Sequence, residues 1–349
     1  MKKIGKLFLA LGMIVVFAGC KASTDAPESK AEFNWYETPV QLSDDKGGTY
    51  GTEGTYVLFG VWPQDVVAEA DVAGLELDET ASTTKERGYL KFVFGSDGNY
   101  YVKHENKWYK VMPIKWRVFD EAYDVDGNSG TATGKLLVAE SILTANVPYY
   151  EDWDNNRTID NKTVYPNNYR HSQIRAYLNG YKYTGYDTSS SSNVEKTQWN
   201  GKGFLQTAFT SDAIDKIITT KVDNSEDSTT NYDTQNGTIT KATDYACDPT
   251  EDKIFLLSES EVTKYSKSGE AYYSYGEGNS RIRVTTDFAK ANNAYQSTTN
   301  GYGGYWWLRS PSYYYSYIAR LVLNDGYADL YGSVDYTGYG VVPALSISF

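Results

Sequence analysis

The chain has 349 residues, a net charge of −12 and only two cysteines. That length suffices for one large domain or two intimate halves with a sizeable core, and two cysteines exclude a disulfide framework. The acidic balance, with no basic stripe, argues against nucleic acid as a partner, while 33 tyrosines and many Asn, Ser, Thr and Gly describe an extracytoplasmic, β-rich protein with a wet surface.

The N-terminus opens on "MKK" and Lys6, continues through the apolar run "LFLALGMIVVFAG", and reaches Cys20 behind the small pair Ala18-Gly19. This is the grammar of a signal peptide, and the apolar run is well short of the roughly 20 residues that a membrane span needs. The quartet "FAGC" resembles a bacterial lipobox, with Phe17 where Leu is usual. That resemblance implies cleavage before Cys20, a diacylglyceryl thioether on its sulfur and attachment to a membrane of the cell envelope, outside the cytoplasm. Loss of Lys2, Lys3 and Lys6 with the leader takes the net charge from −12 to about −15. The expected organisation is a leader over 1–19, a polar flexible tether over 20–49 and a single domain over 50–349.

Within that domain "TYVLFGVWPQ" (55–64) predicts a strand ended by Pro63, and residues 89–119 a meander with reversals at Asp97-Gly98 and at "HEN". "GKLLVAES" (134–141) predicts a buried strand. "HSQIRAYLNG" (171–180) places Ile174, Tyr177 and Leu178 at helical spacing and closes on Gly180, a short amphipathic helix. "TSDAIDKIITTKV" (210–222) repeats the pattern with Ile214, Ile217 and Ile218 before a β-branched run. "DKIFLLSESEV" (252–262) predicts a strand feeding a capping box, Ser258 with Glu261. The polar stretches 187–196 and 223–244 read as surface loops, and "GVVPALSISF" (340–349) as a buried final strand. The sum is α+β, with mostly antiparallel sheets and a few short helices.

The motifs "FGVWPQ", "PIKWRV", "SQIRAYLNG", "DKIFLLSESEV", "WWLRSP" and "GVVPALSI" occur in this order, and in this the chain resembles a family of secreted bacterial proteins catalogued as a domain of unknown function. The resemblance covers about residues 50–349. It implies a C-type-lectin-like fold of the formylglycine-generating-enzyme type and no established activity; fold alone would not give function.

Residues 312–339, "SYYYSYIARLVLNDGYADLYGSVDYTGY", hold eight of the tyrosines and no Lys, Glu, Gln, Met or Trp. Those five types are the ones an AAY codon cannot reach when only its adenines are randomised. The pattern resembles the variable region of target proteins diversified by retroelements. Tyr supplies a large amphipathic contact surface with few rotors to freeze, and Ser, Asn, Asp and Gly add adaptable hydrogen bonds, the alphabet of antibody paratopes. Tyr313, Tyr314, Tyr315, Tyr317, Leu323, Tyr327, Asp329, Tyr331, Ser333, Asp335, Tyr336 and Tyr339 are therefore the candidate ligand contacts. Tyr313/Tyr315/Tyr317 and Tyr327/Asp329/Tyr331 would project in rows if extended. The competing readings are a fixed binding surface and plain β-forming tyrosines. Ala319-Arg320 and Asn324-Asp325-Gly326 look like frame. Arg309 in "WWLRSP" reads as a charge buried against a carboxylate before it reads as an anion contact, and Trp306 and Trp307 as core anchors before a sugar platform.

Chemistry is sparse. His104 and His171 lack a visible nucleophile partner, and Cys247 stands alone where the formylglycine-generating enzymes need a cysteine pair. No HExxH, CxxC, P-loop or G-x-S-x-G occurs; no cofactor is implied, the chain is expected not to be an enzyme, and structural calcium, though common in lectin-like folds, finds no EF-hand spacing. Three functions remain: a lipid-anchored binding protein whose 312–339 face engages protein or host ligands, a carbohydrate-binding adhesin with a fixed aromatic site, and a structural envelope lipoprotein.

Overall fold

The computed structural model describes residues 32–42, 55–127, 132–229, 231–233, 238–240, 244–266, 275–276 and 279–348. The expected leader (1–19) and Cys20 lie outside the described residues. Contacts divide the chain into Met1–Glu32 and a second unit, Phe33–Phe349, which carries everything below.

The main sheet of that unit has ten strands among the described residues, antiparallel throughout. Its spine is the strand Lys107–Asp124, whose 18 residues follow the apolar run of "KWYKVMPIKWRVF". The first part of this strand pairs with Tyr100–His104 and Tyr56–Val66, the later part with Thr133–Ala139. Register shifts along it bend the sheet into a curled half-barrel. The final strand, Ala344–Ile347, lies inside the sheet between Thr133–Ala139 on one side and Ile217–Ile218 and Ile254–Phe255 on the other. Its near-continuous apolar character is that of a strand covered on both faces, and all four residues are buried.

The expected α+β class with a C-type-lectin-like scaffold is overturned: strands take 38% of the chain against 13% for helices, which makes the protein mainly β. The physical reason is the brevity of each helical pattern. Gln173–Asn179 has seven residues, capped by the Ser172 hydroxyl and stopped by Gly180 at φ +72°. Ser211–Ile214 lasts one turn before Ile217, Ile218 and Thr220, all stiff at χ1, take strand geometry. Among the described residues no helix is long and apolar enough to cross a membrane, and no group of three metal-binding side chains is found.

Three smaller expectations change. Pro63 does not end its strand, because a bulge after it lets Tyr56–Val66 continue beside Lys107–Asp124. The polar stretch 187–196 is largely a hairpin, Tyr183–Asp187 against Ser192–Lys196, and part of 223–244 is another, Asn231–Asp233 against Thr238–Thr240. The folded unit also starts earlier than the tether expectation allows. Phe33, Trp35 and Tyr36 pack on the core, Trp35 standing 4.9 Å from the Tyr100 ring, and Val40–Leu42 adds a strand to the main sheet. The aromatic and apolar side chains of "FNWYETPVQL" can be buried; the polar residues before them cannot.

Candidate functional site

The tyrosine-rich window is carried by a three-stranded sheet, Trp306–Pro311, Ile318–Val322 and Ala328–Ser333. Trp306 and Trp307 are buried at its root, so both are core anchors and neither offers a sugar platform. Ile318 to Val322 are buried without alternation. Gly332 is required by close approach: a Cβ there would stand 2.6 Å from the Trp307 ring and 2.5 Å from Leu321.

Tyr313, Tyr314, Tyr315 and Tyr317 do not lie on a strand. They occupy the loop that joins Trp306–Pro311 to Ile318–Val322. The second expected row fails too, since one extra residue is bulged between Asp329 and Gly332 and breaks the period of two. The loop nevertheless forms a ladder of rings, with centroids 3.9 Å apart for Tyr313–Tyr314, 6.1 Å for Tyr314–Tyr315 and 5.3 Å for Tyr315–Tyr317. Tyr314, Tyr315, Tyr331 and Tyr336 are 58, 45, 60 and 51% exposed. Tyr313, Tyr327, Ser333 and Asp335 are half-buried, and Ser333 donates to Asp335 at 2.5 Å. Leu323, Tyr317 and Tyr339 pack partly against the core, Tyr339 with its ring 4.8 Å from Trp307, so their contact surface is smaller than expected. The Asp329 side chain lies outside the described set; its backbone pairs with Leu321.

The backbone beneath the ladder is held from outside the window. Asn167 donates its N–H to the Ser316 carbonyl at 2.8 Å and its amide to the carbonyls of Tyr315 and Ile318 at 2.9 and 3.1 Å. Ser312 accepts from the Tyr314 N–H through its hydroxyl. Both feet of the loop are clamped by one short helix, Glu259–Lys264, which starts at the Ser258/Glu261 capping box. Glu261 pairs with Arg309 at the incoming foot, and Glu259 with Arg320 at 2.5 Å on the outgoing strand. Both arginines are 1% exposed. Arg309 also donates to the carbonyls of Leu256 and Asp223 and to the Ser228 hydroxyl. The structure thus places Arg309 as a buried, carboxylate-paired strut, and Arg320 as frame.

Two contributors escape a sequence reading. Asn167 sits about 150 residues upstream of the loop it holds. Trp153, 48% exposed, stands edge-to-face with Tyr317 at 5.7 Å and lengthens the ladder by one ring.

A cleft of about 240 Å³ brings Cys247 and His171 together, yet their protonation is wrong for nucleophilic catalysis. Burial pushes the thiol up to about 11, while burial and then Arg157, Arg170 and Arg175 push the imidazole down to about 4. A thiolate–imidazolium pair needs both shifts reversed. An adjoining cleft of about 340 Å³ is lined by Arg170, Arg175 and Lys182. Each of these already holds a carboxylate, Asp248 at 3.1 Å, Asp252 at 2.8 Å and Glu195 at 3.0 Å. His104 turns its half-buried ring edge-to-face against Phe288 at 5.7 Å.

Residues 133–349, which hold the three-stranded sheet, its clamping helix and the final strand, match the family described as Domain of unknown function (DUF6273). The chain belongs to this family. The DUF6273 segment begins after "FGVWPQ" and "PIKWRV", so those two motifs lie upstream of the match. No curated protein and no solved structure matches the chain.

Proposed function

We propose that this DUF6273 protein is a lipid-anchored, envelope-displayed binding protein whose tyrosine-rich C-terminal face takes protein or host ligands. The observation that carries the reading is the ring ladder Tyr313–Tyr317: exposed tyrosines on a loop whose backbone is fixed by Asn167 and whose feet are clamped by buried ion pairs. Rigid aromatic side chains on a preorganised loop lose little entropy on binding. A purely structural lipoprotein has no use for four half-exposed tyrosines beside one another. The alternative of a fixed glycan site that uses Trp306 or Trp307 is disfavoured by their burial.

Replacing Tyr314, Tyr315, Tyr331 and Tyr336 with Ser should leave the thermal melt nearly unchanged, because surface exchanges move stability by only about half a kcal/mol each. The same variant should lose capture of partner proteins by the purified chain, since interface tyrosines often contribute ~2 kcal/mol or more. A collapsed melt would show these rings to be core and sink the reading. The anchor rests on "FAGC": Cys20→Ser should move the protein from the detergent phase to the aqueous phase or leave it unprocessed, and a lipid-free mature N-terminus elsewhere would remove it. Diversification of the face rests on the residue alphabet of 312–339. It predicts, in the flanking DNA, a near-copy of this segment with AAY codons beside a reverse transcriptase; a locus without them makes the surface a fixed one.

A further inference from the structure

We propose that the ligand of the tyrosine surface is a basic polypeptide segment, and that Trp153, outside the tyrosine-rich window, is its fixed anchor. This rests on the binding reading above and names the partner's chemistry.

Three chain segments meet at one edge of the ladder. Tyr150 donates its N–H to the Val334 carbonyl at 2.9 Å, and Val334 donates to the Tyr317 carbonyl at 3.0 Å. The loop carrying Trp153, the turn carrying Asp335 and Tyr336, and the tyrosine loop are therefore hydrogen-bonded neighbours. The Trp153 loop is held in shape. The Asp152 carboxylate accepts from the backbone of Asp154 and Asn155 at 3.0 and 3.1 Å. At the loop's end Arg157 is buried, its guanidinium 3.8 Å over the Tyr150 ring and hydrogen-bonded to the carbonyls of Thr184 and Tyr165. The backbone that carries Trp153 is thus held by the frame, and its ring rests edge-to-face on Tyr317 of the window.

The charge left exposed and unpaired around this edge is negative, since its cations are buried or paired. Residues 312–348 include a single cation, Arg320, which is 1% exposed and paired with Glu259. Residues 149–156 include none, with the buried Arg157 next in the chain, and contribute Glu151, Asp152 and Asp154; Asp335 follows Val334, whose N–H donates to the Tyr317 carbonyl. Glu151 is matched by Lys196 at 3.1 Å, whereas Asp154 is exposed and has no ion-pair partner among the described residues. A cationic side chain laid across the rings would meet carboxylates at its head and aromatic surface along its stem, the pairing that lysine and arginine favour.

Ring geometry separates a polypeptide from a sugar. Successive tyrosines are tilted by 36, 41 and 31° at centroid spacings of 3.9, 6.1 and 5.3 Å, so the rings form a stepped row and no two neighbours make one coplanar platform. A pyranose stacks on an open ring face. A stepped row of rings suits an extended chain whose side chains reach it one after another.

The test uses the full lipidated chain in detergent and fluorescence anisotropy with three labelled peptides of about ten residues, alternating Lys/Ala, Glu/Ala and Ser/Ala, together with a neutral glycan panel. The Lys/Ala peptide should bind at least about tenfold more tightly than the others. That preference should fall by about tenfold in Trp153→Ser and again in Tyr314→Ser/Tyr315→Ser, as expected of anchor residues. These substitutions leave the net charge unchanged, so general attraction of a polycation to an acidic protein would persist in them and would be exposed as such. Lys/Ala binding that ignores these variants, or no Lys/Ala binding at all, overturns the inference. Tyrosine-dependent binding of the Glu/Ala peptide, the Ser/Ala peptide or a glycan overturns the basic partner while sparing the binding surface. Binding of all probes that is indifferent to the tyrosines overturns both.

Discussion

Removal of residues 340–349 should abolish the cooperative melt, although it deletes only the last ten residues of the chain. Val341, Val342, Ala344, Leu345 and Ile347 are each 0% exposed. Ala344–Ile347 pairs along both edges, so its loss splits the ten-stranded sheet between Thr133–Ala139 and the pairs Ile217–Ile218 and Ile254–Phe255. The preceding residues tie the three-stranded sheet of Trp306–Pro311, Ile318–Val322 and Ala328–Ser333 to this one. Trp307 donates its N–H to the Gly340 carbonyl at 3.0 Å, Gly340 donates to Tyr305 at 2.7 Å, and Leu143 donates to Val341 at 3.1 Å. Burying a large aliphatic side chain contributes about 2 kcal/mol, so four of them alone approach the whole stability of a domain, roughly 5–15 kcal/mol. Leu345→Ala should give the same effect in miniature, a loss of about 3 kcal/mol through transfer and cavity terms. Calorimetry checks both, and a truncated chain that melts cooperatively near the parent temperature would show the strand to be dispensable.

That strand was legible in advance because its signal is local: a nearly continuous apolar run in which the one serine of the strand, Ser346, is small enough to be buried with its neighbours. The same holds for the Ser258/Glu261 capping box, the stop at Gly180 and the turn at Gly98, each written in adjacent residues. The burial of Arg309 against a carboxylate was readable as a type of environment, though not which carboxylate. What could not be read depends on partners far away in the chain. Tyrosine favours strands, and "SYYYSY" has the composition of one, yet its path is set by Asn167 below and by Glu259 and Glu261 at its feet, which make it a loop. Trp153 gave no signal because its acidic neighbours resemble any solvated loop, and only folding brings it to Tyr317. The lectin-like expectation failed for a different reason. The ordered motifs mark a family, and the family match stands, but motif order says little about how many helices survive between strands when each helical pattern is a turn or two long.

Glu261→Gln should cost about 3–5 kcal/mol at neutral pH, the usual penalty for leaving a buried charge without its partner. The Arg309 side chain is 1% exposed and Glu261's 13%, so water cannot replace the lost carboxylate. Gln can still accept from the Ser258 N–H at the third position of the helix, so the cap is kept, while the Tyr123 hydroxyl, which donates to the other carboxylate oxygen, has to turn and accept from the Gln amide. Burial pushes the Glu261 carboxyl up, but Arg309, with donors from Ser258 and Tyr123, outweighs it and holds the group below its ordinary value. A depressed folded-state pKa means that this stabilisation is fully present above the ordinary glutamate value, about 4.3, and is lost as pH falls through the folded one. Urea curves of parent and variant should therefore differ most near pH 7 and converge only as pH falls through the depressed folded value, below the ordinary glutamate value of about 4.3, with an unchanged slope. Equal stability at pH 7 would mean that Arg309 is satisfied by the carbonyls of Leu256 and Asp223 without Glu261. Exchanging both partners, Glu261→Gln with Arg309→Met, should recover much of the loss, because the expense lies in the orphaned charge rather than in the missing bridge. The ladder should register the single exchange as well: with the incoming foot released, the near-ultraviolet dichroism of the stacked tyrosines should weaken before the sheet melts, since the clamp and the rings are joined through the few residues between Arg309 and Tyr313.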